Sequence, residues 1–290
     1  MGIQAVKDLF VGMLMGVVSF LPGASGSTIA VIFRVYERLV GDVADIKNKL
    51  LKDLWFIIPI GIGVLGGMFL CAKVLDELSK EYEIQLMFLF VALIVTQIPD
   101  IKRMGDDGNK PTTADIIAFA VGVAIMVVFM VIGWNAPMDK DNSGFLVMML
   151  IGVIYAMSLL SPGISGSTIL LALGFYWVYT NVIGDFVHNM NLMLPIALGA
   201  LIGALAFSKV IDFCMRNYRK TTYMAILGLT VGSAVTVLIN GIRSLSDNSS
   251  GEMIIQCVIC AIIGAVLGLG LNRLAHMYAE SSSEEPAAEE

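Results

Sequence analysis

Charge is what this chain has least of. Only 14% of its 290 residues are Asp, Glu, Lys or Arg, against roughly 25% in soluble proteins, and the mean hydropathy is +0.84. A water-soluble globular domain is excluded. Cysteine is scarce too: Cys71, Cys257 and Cys260 lie inside apolar runs and Cys214 just past one, which rules out a disulfide framework. Cys257 and Cys260 form a CxxC with no second ligand pair, so they read as helix packing, and neither a metal nor another cofactor is expected. Five of the 24 acidic residues fall in the last eleven positions, so of the net charge of −6 only about −1 belongs to the body. No basic face is left for nucleic acid. Met1–Ala5 lacks a basic n-region and no small-residue cleavage site follows, so no cleavable signal peptide is expected.

What is present is apolar length. Stretches free of Asp, Glu, Lys and Arg run over 9–33, 54–72, 84–99, 116–138, 142–184, 186–208, 221–242 and 253–272. A spanning helix needs about 20 apolar residues, so the chain reads as an all-α polytopic membrane protein. Two stretches do not fit a single span, 9–33 and 142–184, and both are interrupted by Pro-Gly-x-Ser-Gly-Ser. Cutting there leaves arms of roughly 13 to 20 residues, several too short for about 30 Å of hydrocarbon. Such arms around a Gly/Pro break predict a re-entrant helical hairpin; an ordinary helix pair with a tight surface turn is the alternative. The tail 280–290, ESSSEEPAAEE, has no large apolar side chain and is expected to be disordered.

The chain also repeats itself. From Pro22/Pro162 to Tyr36/Tyr176, at an offset of 140, eight of fifteen positions are identical. At an offset of 136 the match continues through Pro59/Pro195, Gly63/Gly199, Gly67/Gly203, Lys73/Lys209, Asp76/Asp212 and Tyr82/Tyr218. The expected organisation is therefore two halves, 1–138 and 139–279, followed by the acidic tail 280–290. Each half reads as a broken-helix hairpin plus three transmembrane helices. A hairpin that returns to its own side leaves an odd number of crossings, so the second half is expected to be inverted. Of the flanking Lys and Arg residues, twelve fall on the side of Lys7, Lys102 and Arg273, and three, Lys80, Lys140 and Arg243, on the other. That asymmetry places both termini in the cytoplasm. Inverted repeats with paired broken helices suit alternating-access transport, although channels and membrane enzymes share the architecture.

The breaks carry the candidate site. Ser25 and Ser165 are natural N-caps, and Gly26 and Gly166 admit a ligand close to the backbone. The turns at Ser27, Thr28, Ser167 and Thr168 offer N–H groups, hydroxyls and a partial positive charge without a net charge. Two such turns converging form a donor-rich cage for a phosphate or carboxylate; satisfying a helix break is the structural reading of the same residues. Arg34 is the asymmetric residue, its repeat mate being Gly174. A charge at depth costs roughly 2.5–3.5 kcal/mol, so Arg34 either faces a bound anion or snorkels to the interface. Lys73 with Asp76, and Lys209 with Asp212, are spaced for surface ion pairs. Thr96 and Gln97 align with Gly232 and Ser233 and are expected along the path. Glu37 is the best-placed carboxylate for proton coupling, and His188 and His276 read as unpaired interfacial residues.

The motifs PGASGSTIAVIFRVYER at 22–38 and PGISGSTILLALGFY at 162–176, with GLTVGS at 228–233, resemble those of the PopT-type polyprenyl-phosphate translocases, over nearly the whole chain. The resemblance implies an inner-membrane carrier, a flippase that returns undecaprenyl phosphate to the cytoplasmic leaflet for cell-envelope (peptidoglycan) synthesis. It makes Ser25, Gly26, Ser27, Thr28, Ser165, Gly166, Ser167 and Thr168 the phosphate-facing residues. Tyr36, Glu37, Arg38 and Tyr176 become candidates for coupling or gating. The expected partners are a lipid-phosphate substrate and membrane lipids, with the oligomeric state left open. Two departures stand out: Arg34 where the second repeat has Gly174, and Ala92 where it has Gly228. The competing readings are an enzyme like the undecaprenyl-diphosphate phosphatases and an inorganic-anion channel or exchanger. Against the enzyme, Gly26 and Gly166 stand where the phosphatase motif PGxSRSGxT has Arg, and no ExxxE lies in an apolar segment.

Overall fold

The computed structural model describes residues 2–35, 38–39, 42, 53–135, 144–160, 165–247 and 250–283. Tyr36, Glu37, residues 284–290 and the side chains of Ser27, Thr28, Lys209 and Asp212 lie outside the described residues. Among the described residues the regular structure is helical throughout: α1 (Gly2–Phe20), α2 (Gly26–Ile32), α3 (Leu54–Gly105), α4 (Thr113–Asn135), α5 (Phe145–Leu160), α6 (Gly166–Ala172), α7 (Tyr176–Gly184), α8 (Met190–Asn217), α9 (Arg219–Asp247) and α10 (Gly251–Ser283). The last helix runs four residues into the segment 280–290 expected to be a disordered tail. Among the described residues four segments are long and apolar enough to cross a membrane, Leu54–Gly105, Thr113–Val131, Arg219–Ser246 and Gly251–Met277. The fold is that of a polytopic helical membrane protein.

A straight α3 of 52 residues would measure about 78 Å, far more than a bilayer core of about 30 Å. It is broken at Tyr82 (φ −118°, ψ 27°). Asp76 before the break and Phe90 after it both touch α7, through Asn181 and Trp177 respectively. Tyr218, the repeat mate of Tyr82, likewise leaves helical geometry (φ −137°, ψ 43°), and there it separates α8 from α9.

The glycines show how the helices approach one another. In the first half a Cβ on Gly12 or Gly63 would collide with the carbonyl of Ile60 or Leu9; in the second, Gly152 and Gly199 meet Ile196 and Met149 in the same way. These pairs are the 140 and 136 offsets of the sequence repeat, made into contacts between α1 and α3 and between α5 and α8. Other close contacts cross between the halves. Gly122 of α4 lies against the Ala225 carbonyl of α9, and Gly264 of α10 against the Leu89 carbonyl of α3. Leu89 and Ala225 are repeat mates. Each half's last helix therefore packs on the preceding spanning helix of the other half. Small residues at these crossings suit a medium in which close backbone packing must replace the hydrophobic drive.

At the centre lies an aromatic cluster built from both halves. Phe20 stacks on Tyr179 at 5.2 Å, Phe90 meets Tyr176 edge-on at 5.6 Å, and Tyr155 lies 5.3 Å from Tyr179. Tyr176 is fully buried, and its hydroxyl donates to the Phe20 carbonyl at 3.2 Å.

Candidate functional site

Both short helices end alike. Gly174 adopts φ 79° and Arg34 φ 56°. The N–H of Phe175 bonds the Leu170 carbonyl at 2.8 Å, and that of Val35 bonds the Ala30 carbonyl at 2.9 Å. One position earlier, the N–H of Gly174 bonds Leu171 and that of Arg34 bonds Val31. This is the Schellman ending, whose left-handed residue is usually glycine. Arg34 therefore sits, exposed, in a conformation that its mate takes without strain. It is at the opposite end of the seven-residue α2 from Ser25.

The opposite ends meet. Ser25 and Ser165 occupy the expected N-cap positions in extended geometry, yet neither side chain caps its helix. The Ser165 hydroxyl instead lies 2.8 Å from that of Ser167. Ser167 Oγ donates to the carbonyls of Leu21 at 3.1 Å and Ser19 at 3.4 Å, and Thr168 Oγ1 accepts the N–H of Gly23 at 2.8 Å. The hydroxyls of the second break thus bond the backbone of the first. Ser167 is fully buried and Thr168 nearly so. Contrary to the expectation of free N–H groups, that of Thr168 is taken by the Ser165 carbonyl at 3.1 Å. Gly26 packs where a Cβ would strike the Ser19 hydroxyl. Gly166 is buried as the first residue of α6.

Behind these hydroxyls lies a cavity of about 10 Å³, room for about one water. Its polar lining is Gln97 of α3, Ser165 and Thr168 at the start of α6, and Thr230 and Ser233 of α9; Ile169, Ile226 and Leu229 complete it. Among the described residues no ionised side chain lines it. Gln97 and Ser233, aligned by the repeat, do meet in one place. Thr230 is an addition to the residues expected from sequence, although its i,i+3 spacing from Ser233 inside an apolar helix is a visible signal. Thr230 and Ser233 bond the carbonyls of Ile226 and Leu229 in their own helix. One turn on, the Thr236 hydroxyl is buried with no partner.

Other expected residues lie elsewhere. Arg38 grips Asp53 through two bonds of 2.6 Å and stacks over Phe56 at 3.9 Å. That fork holds the Asp53 carboxyl below its usual range and raises the guanidinium. Asp53 is a second addition, though it is the acid directly before a charge-free run. Asp76 does not take Lys73 as its partner: Asn181 donates to it at 2.8 Å and Lys80 approaches to 3.8 Å. The histidines are paired after all, His188 with Asp185 at 2.7 Å and His276 with Asp100 at 2.8 Å.

The Gln97 amide and the Thr168 hydroxyl proton can donate to an oxyanion without a fixed counter-charge, and Thr230 and Ser233 can do so once their hydroxyls turn from the carbonyls of their own helix. At its present size the cavity encloses no phosphate, so helices α3, α6 and α9 must separate to admit one. Residues 15–254 match the family described as undecaprenyl phosphate translocase-like. The chain is 26% identical to a polyprenyl-phosphate transporter of Staphylococcus aureus over 277 residues, covering 92% of this chain and 96% of that one. It is equally 26% identical to a polyprenyl-phosphate transporter of Vibrio cholerae over 262 residues, covering 84% and 81%. No solved structure matches. With its family model spanning most of the sequence, the chain belongs to the undecaprenyl phosphate translocase-like family.

Proposed function

We infer that this protein is a transporter that moves polyprenyl phosphate, undecaprenyl phosphate in particular, between the leaflets of a bacterial inner membrane for reuse in cell-envelope synthesis. The names of the relatives support the substrate class and a transporter rather than an enzyme. The observation that carries the mechanism is the neutral polar cavity beside the second helix break, whose hydroxyls bond the backbone of the first. Burying a bare phosphate in hydrocarbon costs on the order of tens of kcal/mol. A carrier needs only to replace the headgroup's water while the isoprenoid tail stays within the apolar depth of the membrane.

The headgroup is assigned to Ser25, Gly26, Ser27, Thr28, Ser165, Gly166, Ser167 and Thr168, joined by Gln97, Thr230 and Ser233. Arg34, Tyr36, Glu37, Arg38 and Tyr176 are assigned to steering and gating at the edges. At seven residues each, α2 and α6 are about 10 Å long, which supports re-entrant hairpins. The exchange of last helices between halves supports two inverted units, 1–138 and 139–279, able to rock about the site with both termini cytoplasmic.

Leaflet exchange tests this. Proteoliposomes carry polyprenyl phosphate in both leaflets, and an impermeant phosphatase is added outside. The protected inner half is expected to become accessible. About half staying protected would overturn the transport reading, and phosphate release without added phosphatase would indicate a hydrolase instead.

A further inference from the structure

We propose that the apolar groove between α3, α9 and α10 is the subsite for the isoprenoid tail of the substrate, a proposal that rests on the transport reading above. The groove has a volume of about 370 Å³ and only apolar side chains along it, among them Phe88 of α3, Leu245 of α9, and Cys257, Val258, Ala261 and Ala265 of α10. It shares two helices with the headgroup cavity. Phe88 precedes Gln97 by nine residues, about 13 Å of helix rise, and Leu245 follows Ser233 by twelve, about 18 Å. The first isoprene units of a tail attached to a phosphate at Gln97 and Ser233 can span that distance.

A second polar group marks the far end. The Gln85 side chain, 5% exposed, donates to Gln256 at 2.8 Å, and these residues stand beside Phe88 and Cys257. Polar groups thus bracket an apolar groove at both ends. The walls explain a preference for this tail over ordinary acyl chains. Lipid is as apolar as the groove, so no hydrophobic transfer favours entry and selection must come from packing. On α10, Cys257, Ala261 and Ala265 recur every fourth residue between the branched ridges of Val258 and its neighbours, leaving hollows at a regular spacing. A stiff chain with regularly spaced methyl branches fits hollows that a smooth acyl chain leaves unfilled.

The test uses the full chain in proteoliposomes. Polyprenyl phosphate carrying a diazirine on its tail is expected to label wild-type α10 at the groove, and a diazirine phospholipid is not. Filling the groove with Ala261→Phe and Ala265→Phe together is expected to slow long-chain polyprenyl phosphate about tenfold and to leave a three-isoprene phosphate unaffected. Equal labelling by both lipids, or equal slowing of both chain lengths, overturns the groove assignment, and the labelling arm decides it should the filled variant not fold. Failure of the transport reading looks different, because wild-type protein would then move neither chain length.

Discussion

Thr168 spends its hydroxyl on the Gly23 N–H inside a buried contact, so a substitution that keeps its shape but drops its oxygen isolates one effect. Thr168→Val strands a buried donor, which costs about 1–3 kcal/mol, and Thr168→Ser does not. Thermal unfolding in detergent should show the valine variant melting lower and the serine variant near wild type. Equal melting of the two would mean that Gly23 finds another acceptor. Arg34 allows a sharper separation. A non-glycine residue in left-handed geometry costs on the order of 1–3 kcal/mol, so Arg34→Gly should raise the melting temperature. If Arg34 also steers the headgroup, the same variant must transport more slowly, a gain in stability with a loss of function. Unchanged transport would leave Arg34 with an interfacial role only. The sequence points at this residue through its mismatch with Gly174, but for its charge. Its backbone conformation needs the Schellman hydrogen bonds to be seen.

Between elements, the glycine crossings set what the helices tolerate. A leucine at Gly122 must push α4 off the Ala225 carbonyl of α9, whereas a Cβ at Gly61 would meet nothing within 4 Å. Gly122→Leu is expected to cost about 1–3 kcal/mol of overpacking and to lower the yield of folded protein; Gly61→Leu should be neutral in the same assay. The loop between α3 and α4 is tied to α9 by Lys220, which donates to Asp107 at 2.5 Å. That bond, with backbone help from Asn109, holds the Asp107 carboxyl down at about 2, from 3.8. A depressed carboxyl stabilises the fold above its unfolded value and loses that contribution as the pH falls toward the folded one. The melting difference between wild type and Asp107→Asn should therefore be constant above about pH 4 and vanish as the pH approaches 2. A difference that grows on acidification would contradict the pairing. Helix breaks, spans and the repeat are all legible in the sequence, because each is written in local composition or in register. The partners of Asp76 and His276 are not, since Asn181 and Asp100 lie 105 and 176 positions away and no local spacing encodes them.

At the scale of the whole molecule, the repeat alone does not tell which half supplies the neighbour of a given helix. Offsets of 140 and 136 predict equal contacts within each half, and α1 on α3 and α5 on α8 follow that rule. The contacts of Gly122 and Gly264 break it, because they join repeat mates Ala225 and Leu89 to the last helix of the opposite half. An exchange of this kind brings together the spans that precede the last helix of each half, and it is there, with Gln97 on one and Ser233 on the other, that the polar cavity forms. Inverted halves make a demand that parallel halves do not: repeat mates must face opposite sides of the membrane. Lys80 and Arg216 are such mates, at an offset of 136, and both are exposed. With the four native cysteines replaced, Lys80→Cys should react with an impermeant thiol reagent only from outside the cell and Arg216→Cys only from the cytoplasmic face, in oriented vesicles. Labelling of both from the same side would make the halves parallel and remove the basis for rocking about a central site.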